Sequence, residues 1–222
     1  ERVTKYSVLQ FHRILDKISE IPPNYKAWNL GLASGLACCG FTFLLGGGPV
    51  EMILAFFGAG VGMYVRKKLL ERHITLLANV AAGVAAACCT YLLLFKLFEV
   101  IFNVSSVHQS GYICSMLFVI PGFPLITGGI DLAKLDLRSG LERITYALLI
   151  ILMATITGWV VALLLHFSPA DFPELEMAPL LKMVIRIITS FCGVYGFSLM
   201  FNSKRKMAAC AGLIGMIANT TR

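Results

Sequence analysis

Between residues 117 and 143 an otherwise apolar chain concentrates the groups that could do chemistry. The core reads Leu117-Phe-Val-Ile-Pro121-Gly122-Phe-Pro124-Leu-Ile-Thr127-Gly128-Gly129-Ile-Asp131, followed by Asp136, Arg138 and Arg143. Pro121 and Pro124 lack a backbone donor, and Gly122, Gly128 and Gly129 supply flexibility and close approach. Counting back to Tyr112 and forward to Asp131 puts Pro121-Gly122 near the middle of a span. Backbone groups freed at that depth survive only where protein or a water-filled cavity satisfies them. Broken helices of this kind bind solutes at the midplane of many secondary transporters. Asp131, at the inner end of an apolar run, is costly unless hydrated or paired. Two interpretations stand here. One is a proline kink with an interfacial charge cluster that sets topology. The other is a broken helix with a gating or substrate-binding carboxylate.

The elements that must position these residues follow from composition. The chain has 222 residues, of which 58% are hydrophobic and 14% charged, and its mean hydropathy is +0.80. A soluble domain is about 45–50% apolar and about 25% charged. The same numbers exclude disorder, collagen, a coiled coil and a disulfide-rich secreted scaffold. The expected fold is all-α, a polytopic integral membrane helical bundle. A spanning helix needs roughly 20 mostly apolar residues. Such runs occur at Ala27–Leu45, Pro49–Val65, Ile74–Phe95, Gly111–Ile130, Ile144–Leu165 and Ala178–Phe201. A seventh begins near Met207 and is truncated at Arg222, and the chain starts at Glu1, so both ends look cut from a longer polypeptide. Ahead of the spans, Val8, Phe11, Leu15 and Ile18 share one helical face within Val3–Ile21, an amphipathic interfacial helix stopped by Pro22-Pro23.

Lys and Arg placement predicts the topology. Arg2, Lys5, Arg13, Lys17 and Lys26 precede the first span. Arg66, Lys67, Lys68 and Arg72 follow the second; Lys134, Arg138 and Arg143 follow the fourth; Lys204, Arg205 and Lys206 follow the sixth. The intervening connections, Gly46–Gly48, Asn103–Ser110 and Phe167–Met177, hold neither Lys nor Arg. The N-terminus and the basic loops are therefore expected to be cytoplasmic. The net charge of +7 becomes an orientation signal, and no nucleic-acid partner is expected. Lys96, near an outer end, can snorkel. Lys182 and Arg186 share a face in the outer half of the sixth span, where Asp171, Glu174 and Glu176 could pair with them; a transport role is the alternative.

The remaining polar and small residues suggest packing. Cys38, Cys39, Cys88, Cys89, Cys114, Cys192 and Cys210 lie in apolar segments without C-x-x-C or a His at ligand spacing, so no metal or cofactor is expected. Gly31-x-x-x-Gly35 and Gly58-x-x-x-Gly62 suit close helix approach in lipid. Glu51 suits the start of the second span through the helix dipole. Asn79, Thr90, Thr145, Thr155 and Thr157 could hydrogen-bond between helices, and Trp28 and Trp159 suit interfacial or core positions. The chain has no H-E-x-x-H and no G-x-S-x-G, and an enzyme is not expected.

The stretch Val119–Asp131, followed by Gly140-Leu-Glu-Arg143, resembles the signature of the threonine/serine exporter family. Tyr25-x-Ala-Trp28, the Gly-rich first hairpin and Arg66-Lys-Lys68 resemble it too. The resemblance implies two five-helix halves, fused or carried by a partner subunit. On that basis residues 1–25 are the interfacial helix, 26–168 a five-helix membrane domain with a broken fourth helix, and 169–222 the truncated start of the second half. It also implies secondary export of small hydrophilic solutes, threonine and serine in the named members. The location implied is a bacterial-type plasma membrane. A two-subunit branch handles the dicarboxylate succinate, and a non-transporting scaffold is the remaining alternative. The solute is expected beside Pro121-Gly122 and Pro124, touching Thr127. Asp131, Arg138 and Arg143 would form an inner gate, and Asp131 or Asp136 would carry a coupling proton. Asp131→Asn and Pro121→Ala are expected to impair export without abolishing insertion.

Overall fold

Small residues in the first spans let their helices pack at backbone distance, and the bundle is built on those seams. The computed structural model describes residues 8–19, 22–102, 111–167 and 177–221. These form helices α1 (Val8–Ser19), α2 (Ala27–Leu44), α3 (Pro49–Glu71), α4 (Leu76–Phe102), α5 (Gly111–Cys114), α6 (Gly122–Ala133), α7 (Leu137–Leu164), α8 (Pro179–Met200) and α9 (Arg205–Thr220). A short 3-10 turn, Leu117–Val119, lies between α5 and α6. No strand occurs among the described residues.

Five helices are long and apolar enough to cross a membrane: α2, α3, α4, α7 and α8. The expected fourth span is a bent pair instead. The segment Gly111–Val119 and helix α6 meet at 63°. Packing neighbours run in the order α9, α8, α2, α3, α4, α7, α6, with α5 set against α2, α3 and α4. Of the expected amphipathic face, Phe11 and Leu15 on α1 are exposed. Asp171, Glu174 and Glu176 lie outside the described residues, so their pairing with Lys182 and Arg186 does too. Arg186 instead donates to Asn219 Oδ1 of α9 at 3.3 Å.

The glycine patterns act as packing seams. A Cβ at Gly31 would lie 2.9 Å from the Gly60 carbonyl oxygen, and one at Gly62 would lie 2.7 Å from that of Gly83. Thr90 and Thr157 depart from expectation. They donate to Ala86 O and Met153 O of their own helices, each at 2.7 Å. A hydroxyl one turn from a carbonyl closes that bond without a partner helix.

Helix ends share one device that composition conceals. Gly46, His73, Leu135, His166 and Asn202 all have positive φ. The residue after each donates to a carbonyl five positions back, as in Asp136 N–H to Asp131 O at 3.0 Å. This is the Schellman cap, which usually takes glycine. Leu135, at φ 64° and exposed, bears strain with no packing to offset it. Leu135→Gly is expected to stabilise the folded protein by about 1 kcal/mol. Thermal unfolding in detergent measures it, and an unchanged or lower midpoint would contradict the strain.

Candidate functional site

Ile120 interrupts the broken segment by turning extended, with ψ 118°. Pro121 then caps α6, whose first turn gains the Leu125 N–H to Pro121 O bond at 3.2 Å. Along α7 the two pieces run antiparallel. Tyr112 OH donates to Gly158 O at 2.8 Å, and Leu132 packs where a Cβ of Gly140 would stand. From Gly158 to Gly140 is about 27 Å of helix.

The break does not sit at the middle of the bundle. It adjoins a cavity of about 410 Å³ whose walls include Met63, Arg66 and Lys67 of α3 and Leu30, near the start of α2. It therefore lies toward the end of α3 that carries the basic residues. A 3-10 turn rises about 2.0 Å per residue against 1.5 Å for an α-helix. The turn and the extended Ile120 thus carry Pro121 further along the bundle than a helical count allows.

The expected inner cluster divides into separate contacts. Asp131 is partly buried and pairs with Arg143, Nε to Oδ2 at 3.3 Å. That oxygen has no aligned hydrogen bond among the described residues, so the pair is an ionic contact. Arg138 turns away to Glu142 at 3.2 Å, with both side chains exposed, a surface pair of little energetic weight. Asp136 caps α7 by accepting from Ser139 N–H at 3.3 Å. Its bonds to the Ser139 side chain and amide hold the carboxyl below the usual carboxylate range. The cap is complete at neutral pH and is lost only as pH falls through that lowered value. Thr127 Oγ1 donates to Phe123 O at 2.9 Å, bonding within its own helix.

The glycines also differ in what they do. Gly128 packs on α7, where a Cβ would lie 2.9 Å from Ile144 and 3.2 Å from the Gly140 carbonyl oxygen. Gly122 and Gly129 have nothing within 4 Å of a Cβ, so close approach is not their role. Gly122→Ala is therefore expected to leave transport and stability within experimental error of wild type. A loss of either would show that the break needs glycine's backbone freedom.

The cavity gathers residues that pattern reading had assigned elsewhere. Beside Ile120, Pro121 and Pro124 stand Arg66, Lys67, Asn79, Tyr146, Met200 and Phe201. Asn79 is 2% exposed, and its Oδ1 has no hydrogen-bond partner among the described residues. A buried amide oxygen left unpaired costs about 1–3 kcal/mol, which a polar guest would recover. Arg66 had served as a topology marker and Asn79 as interhelical glue. One signal was available: Gly58, Gly62 and Arg66 are spaced i, i+4, i+8, so the packing face of α3 ends in a guanidinium.

The basic segments before α2 and after α8 meet at this same side. Asn24 N–H donates to Asn202 Oδ1 at 2.9 Å, and Tyr25 OH donates to Ser203 O at 2.8 Å. The start of α2 is thereby tied to the turn before Lys204. Apolar helices of spanning length packed around a helix break define an integral membrane protein. The sequence matches the family described as "Putative threonine/serine exporter" over residues 2–166, and the chain belongs to that family.

Among its relatives is the "Probable succinate transporter subunit YjjP" of Escherichia coli. It is 32% identical over 162 residues, covering 72% of this chain and 61% of that protein. The protein of the same name in Klebsiella aerogenes is 31% identical, again covering 72% and 61%. The "Pheromone-regulated membrane protein 10" of Debaryomyces hansenii is 25% identical over 68% of this chain and 15% of its own length. The chain thus spans about 61% of the length of the two bacterial relatives. No solved structure matches it.

Proposed function

We propose that this chain is part of a proton-coupled secondary exporter of small hydrophilic solutes bearing a carboxylate. The observation that carries this is the cavity joining the Pro121 break to Arg66, Lys67 and the unpaired Oδ1 of Asn79. Two cations line it, with no acid among the described lining residues. A guanidinium fork matches a carboxylate in two parallel hydrogen bonds, and Asn79 Oδ1, an acceptor, would take a hydroxyl or ammonium donor of the guest. The two cations suit a dicarboxylate, in keeping with the succinate in the name of two relatives. The family description supports threonine and serine as the second reading.

In the membrane, Gly111–Ala133 counts as one broken span beside α2, α3, α4, α7 and α8, with α9 the start of a further one. The basic ends face the cytoplasm of a bacterial-type plasma membrane, and α1 lies on that face with Phe11 and Leu15 toward lipid. Residues 26–168 form one five-helix half. Residues 169–222 open the second, which the same chain or a partner subunit completes. Asp131 and Arg143 serve as the inner gate beside Pro121, Gly122, Pro124 and Thr127; Asp136 and Arg138 hold the adjoining turn.

Efflux of labelled succinate, threonine and serine from vesicles loaded with each, under an imposed pH gradient, tests the proposal. Saturable succinate efflux, competed by unlabelled dicarboxylate, is expected. Threonine or serine moving instead would select the second reading, and movement of none would remove the transport reading.

A further inference from the structure

Asn79 stands in the first turn of α4, 2% exposed, in the wall of the cavity at the helix break. Its Oδ1 has no hydrogen-bond partner among the described residues. The glycine seam fixes what it faces. A Cβ at Gly58 would lie 3.0 Å from the Ala87 carbonyl oxygen, and one at Gly62 would lie 2.7 Å from that of Gly83. Helices α3 and α4 therefore run antiparallel, one turn forward on the first matching one turn back on the second. The next turn of that register sets Arg66 opposite Asn79. Arg66 Cβ and Cδ already lie 3.1 Å and 3.7 Å from where a Cβ of Gly83 would stand.

We propose that Asn79 sets the solute class: the cavity selects a small dicarboxylate that bears a hydroxyl group over one that lacks it. The inference rests on the export reading above and narrows its solute. Arg66 and Lys67 only donate, and they meet the carboxylates. The oxygen acceptors among the described lining side chains are Asn79 Oδ1 and the Tyr146 hydroxyl, both neutral. A neutral acceptor calls for a donor on the guest. An ammonium would add a positive charge beside Arg66 and Lys67, with no acid among the described lining residues, and like charges placed together oppose binding. A hydroxyl supplies the donor without the charge. The terminal torsion of asparagine is broad, so the carboxamide turns its oxygen to the guest while a carboxylate stays on Arg66. A dicarboxylate without the hydroxyl leaves Oδ1 unpaired, which is how a buried polar group rejects an analogue.

The test uses the full transporter in proteoliposomes loaded with labelled succinate, 2-hydroxysuccinate or aspartate, which differ at one carbon. Initial efflux against internal concentration gives the half-saturation for each. In the wild type, 2-hydroxysuccinate is expected to half-saturate at a concentration about 10-fold or more below succinate, and below aspartate too. Asn79→Leu and Asn79→Ala are expected to erase the preference for 2-hydroxysuccinate over succinate, and Tyr146→Phe to keep it. The preference compares two solutes in one protein, so a lower yield or slower turnover does not move it. Equal half-saturation in the wild type would overturn the assignment. So would a preference that survives in either Asn79 variant, or one that vanishes in Tyr146→Phe. Aspartate saturating at the lowest concentration would overturn the hydroxyl. If the wild type moves none of the three, the export reading fails, and thermal unfolding of the detergent-solubilised protein with each solute added decides the cavity's preference. Stabilisation by 2-hydroxysuccinate beyond that by succinate, lost in Asn79→Leu, supports the assignment; equal or absent stabilisation overturns it.

Discussion

Arg66→Gln lowers solute efflux by about 10- to 100-fold while the protein still inserts and remains monodisperse. A charge-assisted hydrogen bond contributes about 1.5–3 kcal/mol, and each 1.4 kcal/mol is about a factor of ten. The loss belongs to binding more than to folding, for a structural reason. Arg66 Cβ and Cδ lie within packing distance of Gly83 on α4, and glutamine preserves most of that stem. Arg66→Lys keeps the charge without the fork and falls between the two. Concentration dependence of efflux distinguishes the outcomes. A raised half-saturation with the maximal rate retained marks a contact made equally in the ground and transition states. Wild-type efflux from Arg66→Gln would remove the cavity from the pathway.

Gly196→Leu on α8 destabilises the bundle by about 3 kcal/mol or more. A Cβ at Gly196 would stand 2.5 Å from the Ala33 carbonyl oxygen, and one at Gly40 would stand 2.6 Å from that of Thr189. Backbone atoms on both sides leave no rotamer to move, so the helices must separate along the seam. Lipid supplies little hydrophobic drive to hold them, because packing itself drives helix association in a bilayer. The measurement is the thermal unfolding midpoint and monodisperse yield in detergent, with Gly122→Ala as the tolerated control. A Gly196→Leu protein as stable as wild type would mean that α8 does not dock on α2 in this way.

The two variants show how unevenly the molecule could be read in advance. Gly31, Gly35, Gly58 and Gly62 were legible as packing residues, because G-x-x-x-G places both glycines on one helical face. Gly40 and Gly196 carry no such local pattern, and their closeness follows from α8 returning beside α2. The break at Pro121 was legible because proline lacks a donor wherever it stands. Its depth was misjudged because a 3-10 turn and an extended residue are longer per residue than helix. The cluster of Asp131, Asp136, Arg138 and Arg143 was legible as charge. Its pairing was not: α7 starts at Leu137, seven residues before its apolar run, and a helical turn then sends Arg138 and Arg143 to different partners.

By itself the sequence determined an all-helical membrane protein, the places where its helices stop, the separation of basic connections from those without Lys or Arg, and its family. These depend on residue type and local spacing, through hydropathy, backbone donors and Lys/Arg counts. Only the tertiary structure decided that Arg66 and Asn79 share a cavity with Pro121, and that Glu51 lies fully enclosed beneath α5. Those relations join residues from separate helices. Burial and unpaired hydrogen-bonding capacity depend on which helices are neighbours, and helix order in space is not written in the periodicity of any one helix.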